Sequence, residues 1–267
     1  MIITPHMVLL NYPRTGSTWA RGVLRRLHGV EGRALARTLA GTRLGWRGFH
    51  ELTLSIDRTA SALREGRRSQ HGSWRQIPRW ARSRPVVSVG RDPLVHLESA
   101  YHHGFWRDHP AAPVPSVREA LPSFPELDLP GYVEYLDRFA LPDVLQGAEP
   151  RAAIGVQTAQ FLRFFHPRPQ EALATLTDED LDGEALVASL PRVRFLRTER
   201  LQQDLTQLLL EQGYGSRAVE QAMAQSDRNA SARRSVDGPR LAEALRERVA
   251  HRERLLVRLF PPLEATA

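Results

Sequence analysis

The chain has 267 residues, enough to bury one substantial core, and its 42% hydrophobic and 25% charged residues are typical of a soluble globular protein. It contains no cysteine, which excludes disulfides, thiolate metal sites and a cysteine nucleophile, and from this we expect a cytoplasmic protein. The formal net charge is +7 and all 37 basic residues are arginine. Such a charge suits an anionic ligand, and because the arginines are scattered we expect no nucleic-acid partner.

Membrane segments are not expected, because no run of about 18 apolar residues is present. Residues 1–6 lack a basic segment followed by an apolar one, so we expect no secretory signal peptide. We find no internal repeat and no clear linker. The simplest expectation is one domain over residues 1–267.

The first predicted elements are a strand, a tight turn and a helix. Residues 7–10 form a short apolar run typical of a buried strand, and Pro13 ends it. Gly16 allows a sharp turn, and Ser17 and Thr18 are good residues for the start of a helix. The helix is predicted to run to Leu27.

This order of elements is typical of an anion site. The first amides of a helix have no partner within the helix, and the helix dipole places partial positive charge there. Arg14 adds a full charge, and Ser17 and Thr18 add hydroxyl donors. The standard nucleotide-triphosphatase loop is excluded, because it needs two glycines and a following lysine.

The segment 12–19 reads Tyr-Pro-Arg-Thr-Gly-Ser-Thr-Trp. It resembles the 5′-phosphosulfate loop of sulfotransferases that use 3′-phosphoadenosine 5′-phosphosulfate (PAPS), whose usual form is Tyr-Pro-Lys-Ser-Gly-Thr-Thr-Trp. The resemblance implies that the nucleotide is bound by Arg14, Thr15, Gly16, Ser17, Thr18 and Trp19, with Trp19 stacked near the adenine. A core tryptophan is the alternative for Trp19.

The second clear strand is predicted over residues 85–90, a β-branched run bounded by proline and glycine. Asp92 is a good cap for the helix that follows, and Pro93 suits its first turn. This helix is predicted over residues 94–102.

The segment 91–102, which begins Arg-Asp-Pro, resembles the 3′-phosphate motif of the same family. That motif has an arginine at a strand end and a serine eight residues later, which Arg91 and Ser99 match. Two helical turns separate them, so both can face one phosphate. A local ion pair at a helix start is the alternative, and finding both motifs in the family's order argues against it.

The rest of the chain is predicted as follows. Residues 111–130 are proline-rich and read as a long surface loop or lid. Helices are predicted over 132–145, 158–165, 199–211 and 240–259, a third strand over 191–198, and a polar loop over 228–238.

The resemblance implies an α/β fold: three α/β/α layers around a central parallel sheet, with a P-loop-like phosphosulfate-binding loop. It implies sulfuryl transfer from PAPS to a hydroxyl or amine of a small-molecule or carbohydrate acceptor, leaving adenosine 3′,5′-bisphosphate (PAP). No metal is expected. Arg14 is expected to stabilise the charge that develops on the leaving phosphate.

The resemblance also implies a general base, a histidine about twenty residues before the 3′-phosphate arginine. His71 lies there, and His50 with Glu51 is the alternative. A surface histidine without catalytic role is the third possibility. Arg233 and Arg234 lie where the family places a basic loop over the 3′-phosphate, but they lack its glycine.

Two other functions stay open at this point. A P-loop kinase for a small molecule would depend on Mg²⁺ and need an acidic metal ligand. A non-catalytic nucleotide-binding protein would keep the phosphate motifs without a working base. The acceptor and the oligomeric state are not indicated.

Overall fold

The computed structural model describes residues 1–42, 44–224 and 242–262. Backbone contacts divide the chain into two compact units. Of the described residues, the first unit takes those within 1–55, 68–91 and 192–230, and the second takes those within 56–67, 92–191 and 231–267. A single domain over residues 1–267 stays a prediction.

The described residues form short strands, most of them before residue 91, and helices, most of them after it. The strands are β1 (Ile2–Ile3), β2 (Val8–Leu9), β3 (His50–Glu51), β4 (Leu54–Ser55), β5 (Arg68–Ser69), β6 (Val86–Gly90) and β7 (Val193–Arg197). The α-helices are α1 (Ser17–Leu27), α2 (Ala34–Ala40), α3 (Ala60–Arg64), α4 (Pro93–His103), α5 (Phe105–Asp108), α6 (Val114–Ala120), α7 (Leu129–Tyr135), α8 (Leu141–Leu145), α9 (Val156–Phe165), α10 (Pro169–Thr175), α11 (Asp178–Asp182), α12 (Glu184–Ser189), α13 (Leu201–Glu211), α14 (Ser216–Ala224), α15 (Glu243–Arg252) and α16 (Arg254–Leu259). Turns of 3₁₀-helix cover Trp74–Gln76, Arg79–Ala81 and Thr198–Arg200, and a π-helical segment covers Leu136–Ala140.

The first unit contains a five-stranded sheet in the order β3-β1-β2-β6-β7. Strands β2, β6 and β7 are parallel, whereas β1 is antiparallel to both β2 and β3. The expectation of a parallel sheet is therefore wrong for one edge, and the sheet is mixed. The reason is the short connection between β1 and β2, where the amide of Thr4 donates to the carbonyl of Met7 at 2.9 Å. A turn this tight can join only antiparallel strands.

The core of the first unit forms where helices pack on this sheet. Helix α1 contributes Ala20, Val23 and Leu24, which are fully buried. Helices α13 and α14 contribute buried leucine, valine and methionine side chains to the same cluster. The fold class is thus α/β, with a mixed sheet and packed helices.

Strand β6 and helix α4 form as the sequence predicts. All five residues of Val86–Gly90 are buried, as expected of a strand between two parallel neighbours. A side-chain oxygen of Asp92 accepts hydrogen bonds from the amides of Leu94 and Val95, each at 2.9 Å, and Pro93 is the first residue of α4. The Asp-Pro pair therefore starts this helix by an ordinary N-cap.

The second unit packs part of the segment that the sequence presented as a surface loop or lid into its core, although most residues of the segment are exposed. Within residues 111–130 lies α6, and Val117, Leu121 and Phe124 are buried in the core of this unit. The prolines misled the prediction because Pro115 and Pro130 occupy the first turns of α6 and α7, where a missing N–H costs nothing.

The C-terminal helix predicted over residues 240–259 is broken. Residues 240 and 241 lie outside the described residues, and α15 and α16 meet at Glu253. The Glu253 carboxylate accepts hydrogen bonds from the amides of Gln157 and Thr158, at 3.0 and 2.7 Å. It thereby caps α9, whose own N-cap, Gly155, has no side chain. Burial raises the pKa of Glu253 to about 7, although hydrogen bonds from Thr158 and Gln157 oppose that rise.

Among the described residues, no helix is both long and apolar enough to cross a membrane.

Candidate functional site

The loop between β2 and α1 has two residues in the left-handed backbone region. Arg14 has φ +60° and Gly16 has φ +88°. Gly16 is also the N-cap of α1, so the turn and the helix start share one residue. A left-handed backbone is uncommon for arginine and is a form of local strain that occurs often at binding sites.

Two hydroxyl groups hold this loop together from inside. Thr15 Oγ1 and Ser17 Oγ both donate to the carbonyl oxygen of Tyr12, at 2.8 and 2.9 Å. Thr15 and Ser17 are buried, whereas Thr18 is exposed. Thr15 and Ser17 therefore stabilise the loop, and the exposed hydroxyl at its end is that of Thr18.

The electrostatics of the helix start favour an anion. Helix α1 has eleven residues and no acidic side chain in its first turn. Its first amides carry the positive end of the helix dipole, and a loop in left-handed conformation turns successive amides toward one point. The arrangement can hold a phosphate or sulfate group between these amides and the partly buried Arg14.

Arg14 and Arg91, one residue from each motif, meet at the same edge of the sheet. Arg91 follows directly after β6, and its Nη1 donates to the carbonyl oxygen of Arg14 at 3.0 Å. Because β2 and β6 are parallel neighbours, the loops that follow them lie side by side. Ser99 belongs to the second unit, where it is a buried residue of α4.

His71 is hydrogen-bonded at the end of β2. Its Nδ1 lies 2.8 Å from the carbonyl oxygen of Asn11, and the side-chain amide of Asn11 donates to the carbonyl of Gln70 at 3.2 Å. A carbonyl only accepts, so Nδ1 carries the proton in the neutral ring and the lone pair lies on Nε2. This is the tautomer that a general base acting through Nε2 requires.

His50 and Glu51, the alternative pair, have other partners. His50 is buried, its ring packs on Trp80 at 4.8 Å between centroids, and its Nδ1 lies 3.3 Å from the carbonyl of Thr42. The Glu51 carboxylate pairs with Arg21 and accepts two hydrogen bonds from Arg25, at 2.7 and 2.8 Å.

These contacts set the charge of Glu51. Burial by itself raises the pKa of Glu51, but the hydrogen bonds and charges of Arg25 and Arg21 outweigh burial and lower it. Glu51 is therefore held as a carboxylate that ties β3 to α1, and a base with a lowered pKa accepts a proton poorly.

The remaining predicted residues are placed as follows. Trp19 is half-buried and packs against the core of the first unit, and within the described residues its indole N–H has no hydrogen-bond partner. Arg233 and Arg234 lie outside the described residues.

Thr198 is a residue of this edge that sequence reasoning missed. It follows directly after β7, and its hydroxyl oxygen lies 2.7 Å from the carbonyl of Thr15 and 2.9 Å from the carbonyl of Gly90, so its single hydrogen is shared between the two acceptors. The available signal was its position, because the ends of neighbouring parallel strands meet at one edge. A single threonine after a strand belongs to no recognisable motif, so the sequence alone did not single it out.

Comparison with known proteins gives no relative: no protein-family model, no curated protein and no solved structure matches this chain.

Proposed function

We propose that this chain is a sulfotransferase that moves a sulfuryl group from PAPS to a hydroxyl or amine of a small-molecule or carbohydrate acceptor. The observation that supports this most is the hydrogen bond from Arg91 to the carbonyl of Arg14. It brings together two loops that separately resemble the 5′-phosphosulfate and 3′-phosphate motifs of one family. A nucleotide with phosphates at both ends needs two such anion sites close together.

In this proposal the loop after β2 is a P-loop-like element of an α/β/α fold. The amides at the start of α1 and the guanidinium of Arg14 bind the 5′ end of the donor. Arg91 binds the 3′-phosphate, a role for which the resemblance also implies Ser99. The resemblance implies Arg233 and Arg234 as further ligands of the 3′-phosphate, and both lie outside the described residues.

PAPS supplies the sulfuryl group, while the protein stabilises the charge on the leaving phosphate and takes up the proton of the acceptor. As the acceptor oxygen bonds to sulfur, the sulfur–oxygen bond to the 5′-phosphate breaks and PAP leaves. His71 takes the acceptor proton on Nε2, because its Nδ1 is engaged by the Asn11 carbonyl. Arg14 stays charged throughout, so it stabilises the leaving phosphate by hydrogen bonds and not by giving up a proton.

The test starts with binding and then measures transfer. Calorimetry of the full chain with PAP is expected to show binding, and ATP is expected to bind more weakly because it lacks a 3′-phosphate. The full chain is then incubated with sulfur-labelled PAPS and a panel of phenols, amines and sugars. Labelled product that forms equally with and without a chelator supports the proposal.

Other outcomes point to other functions. Phosphate transfer from ATP that a chelator abolishes would identify a small-molecule kinase. PAP binding with no transfer to any acceptor would favour a non-catalytic nucleotide-binding protein. No heat with PAP would overturn the proposal.

A further inference from the structure

Two consecutive carbonyl groups of the loop after β2 accept hydrogen bonds from neighbouring strand ends. The carbonyl of Arg14 accepts from Nη1 of Arg91, which follows β6. The carbonyl of Thr15 accepts from the hydroxyl of Thr198, which follows β7. The same hydroxyl also contacts the carbonyl of Gly90, the last residue of β6. Thr198 thus links the loop after β2 with the ends of β6 and β7.

These contacts fix the direction of two amides. In a trans peptide group the carbonyl and the N–H point in opposite directions. The N–H of Thr15 shares a peptide with the carbonyl of Arg14, so it points away from Arg91. The N–H of Gly16 shares a peptide with the carbonyl of Thr15, so it points away from Thr198. Both amides therefore point away from the groups that donate to the preceding carbonyls.

The side of the loop that faces Thr198 is closed to a ligand. A Cβ placed on Gly16 would lie 2.9 Å from Cδ2 of Leu201 and 3.9 Å from Cγ2 of Thr198. The segment after β7 therefore packs directly against the loop backbone. Among the described residues, this leaves the side of the loop away from Thr198 for an anion that binds the two amides.

We infer that Thr198 is a positioning residue, which orients the amides of Thr15 and Gly16 for the 5′-phosphate without touching the nucleotide itself. This inference rests on the proposed function. It predicts that removing the Thr198 hydroxyl weakens recognition of the 5′-phosphate and leaves recognition of the 3′-phosphate unchanged.

The experiment compares two ligands that differ only in the 5′-phosphate. PAP carries both phosphates, and adenosine 3′-monophosphate lacks the one at 5′. The Kd for adenosine 3′-monophosphate divided by the Kd for PAP measures how much the 5′-phosphate contributes to binding. Thr198→Val removes the hydroxyl and keeps the shape, and Thr198→Ser keeps the hydroxyl. We expect this ratio to be about tenfold lower in Thr198→Val than in the native protein. In Thr198→Ser we expect it to stay within about twofold of the native value.

The outcomes separate this inference from the proposed function. If the native protein binds PAP and both Thr198→Val and the smaller Thr198→Ala keep the native ratio, the inference is wrong and the proposed function stands. An equal loss of affinity for both ligands would indicate a merely structural role and would also overturn the inference. If the native protein binds neither ligand, it is the proposed function that fails. Thr198→Ala replaces Thr198→Val where the latter does not fold.

Discussion

Nη1 of Arg91 lies 3.0 Å from the carbonyl oxygen of Arg14 and donates a hydrogen bond to it. The two residues are 77 positions apart in the sequence, and each follows a strand of the parallel part of the sheet. A guanidinium carries five N–H donors in a planar fork, so one contact to a carbonyl is compatible with holding a phosphate as well. Arg91 thus combines a contact to the first loop with its proposed role at the 3′-phosphate.

Arg91→Lys tests that double role. Lysine keeps the charge but loses the planar fork, so it cannot hold a phosphate and reach the Arg14 carbonyl in the same geometry. We expect the Kd for PAP to rise about 30-fold, which corresponds to about 2 kcal/mol for hydrogen bonds to a charged group. The measurement is calorimetry with PAP. Arg217→Lys, at an exposed position of α14, is the matched control and is expected to bind like the native protein. Native affinity in Arg91→Lys would contradict the assignment of Arg91.

Gly16→Ala tests the conformation of the loop. Gly16 has φ +88°, and a Cβ there would lie 2.9 Å from Cδ2 of Leu201. We expect a loss of stability of about 2 kcal/mol from backbone strain and the clash, and a loss of PAP affinity of at least about tenfold. Urea unfolding and calorimetry measure the two effects.

Gly213→Ala is a closely matched control for that substitution. Gly213 has a similar φ of +83°, but a Cβ there meets no described atom within 4 Å. It is expected to lose only about 1 kcal/mol of stability and to bind PAP normally. Equal effects of the two alanines on PAP binding would show that the loop geometry at Gly16 is not what the nucleotide needs.

His71→Ala tests the proposed base. The ring holds its Nδ1 proton against the Asn11 carbonyl, so the lone pair that accepts a proton lies on Nε2. We expect kcat for sulfuryl transfer to fall about 10²- to 10⁴-fold, because a positioned base contributes about that much. The Kd for PAP is expected to change less than about twofold, well under 1 kcal/mol.

The control for His71→Ala is His251→Ala, at an exposed histidine of α15, with native kcat as the expected result. If His71→Ala binds PAP and retains the native kcat, His71 is not the base. His50 and Glu51 would then be examined by the same pair of measurements.

Local signals predicted the elements that form by local chemistry. The cap at Asp92 and the proline after it start α4, and the β-branched run forms β6 as a buried strand. Helix α1 begins at Ser17 and ends at Leu27, as the glycine turn and the apolar face predict. In each case the deciding signals are capping residues, turn residues or apolar spacing within a few positions, so they can be recognised in the sequence.

Long-range relationships were not predictable in the same way. The antiparallel pairing of β1 follows from a connection too short to cross over, but two-residue strands give almost no periodic signal. Thr198 contacts Thr15 across 183 residues, and a lone threonine carries no pattern that points to such a contact. Within residues 111–130, helix α6 and the core side chains of Val117, Leu121 and Phe124 were missed because composition was weighed above the spacing of the apolar residues.

His28→Gln tests a pH dependence of stability. Burial lowers the pKa of His28 to about 4, and repulsion by His6 adds to that effect. The ring nitrogen Nε2 lies 2.8 Å from the hydroxyl of Tyr214. The folded state favours the neutral His28 ring. The stability that this neutral ring provides is therefore fully present above pH 6.5 and is lost as the pH falls from 6.5 toward 4.

In urea unfolding we expect the native protein to lose about 2 kcal/mol of stability between pH 7.5 and pH 4.5 through this group, since the ring keeps some exposure that reduces the full effect. His28→Gln removes the titration and keeps a polar group beside Tyr214. The free energy of unfolding of His28→Gln, relative to that of the native protein, is therefore expected to be about 2 kcal/mol higher at pH 4.5 than at pH 7.5. Parallel stability curves over this range would contradict the expectation.

The cap of α9 by Glu253 gives a prediction that needs no ligand. Gly155 has an ordinary φ of −95°, so alanine there strains no backbone, but its Cβ would clash with Oε1 of Glu253. The carboxylate would have to leave the amides of Gln157 and Thr158, and we expect Gly155→Ala to lose about 2–3 kcal/mol of stability for that reason. In a Glu253→Ala background the clash is absent, so the same substitution is expected to cost less than about 1 kcal/mol. Urea unfolding of the four proteins gives the coupling energy directly. Strictly additive effects would show that the missing side chain at Gly155 is not what allows the Glu253 carboxylate to reach the amides of α9.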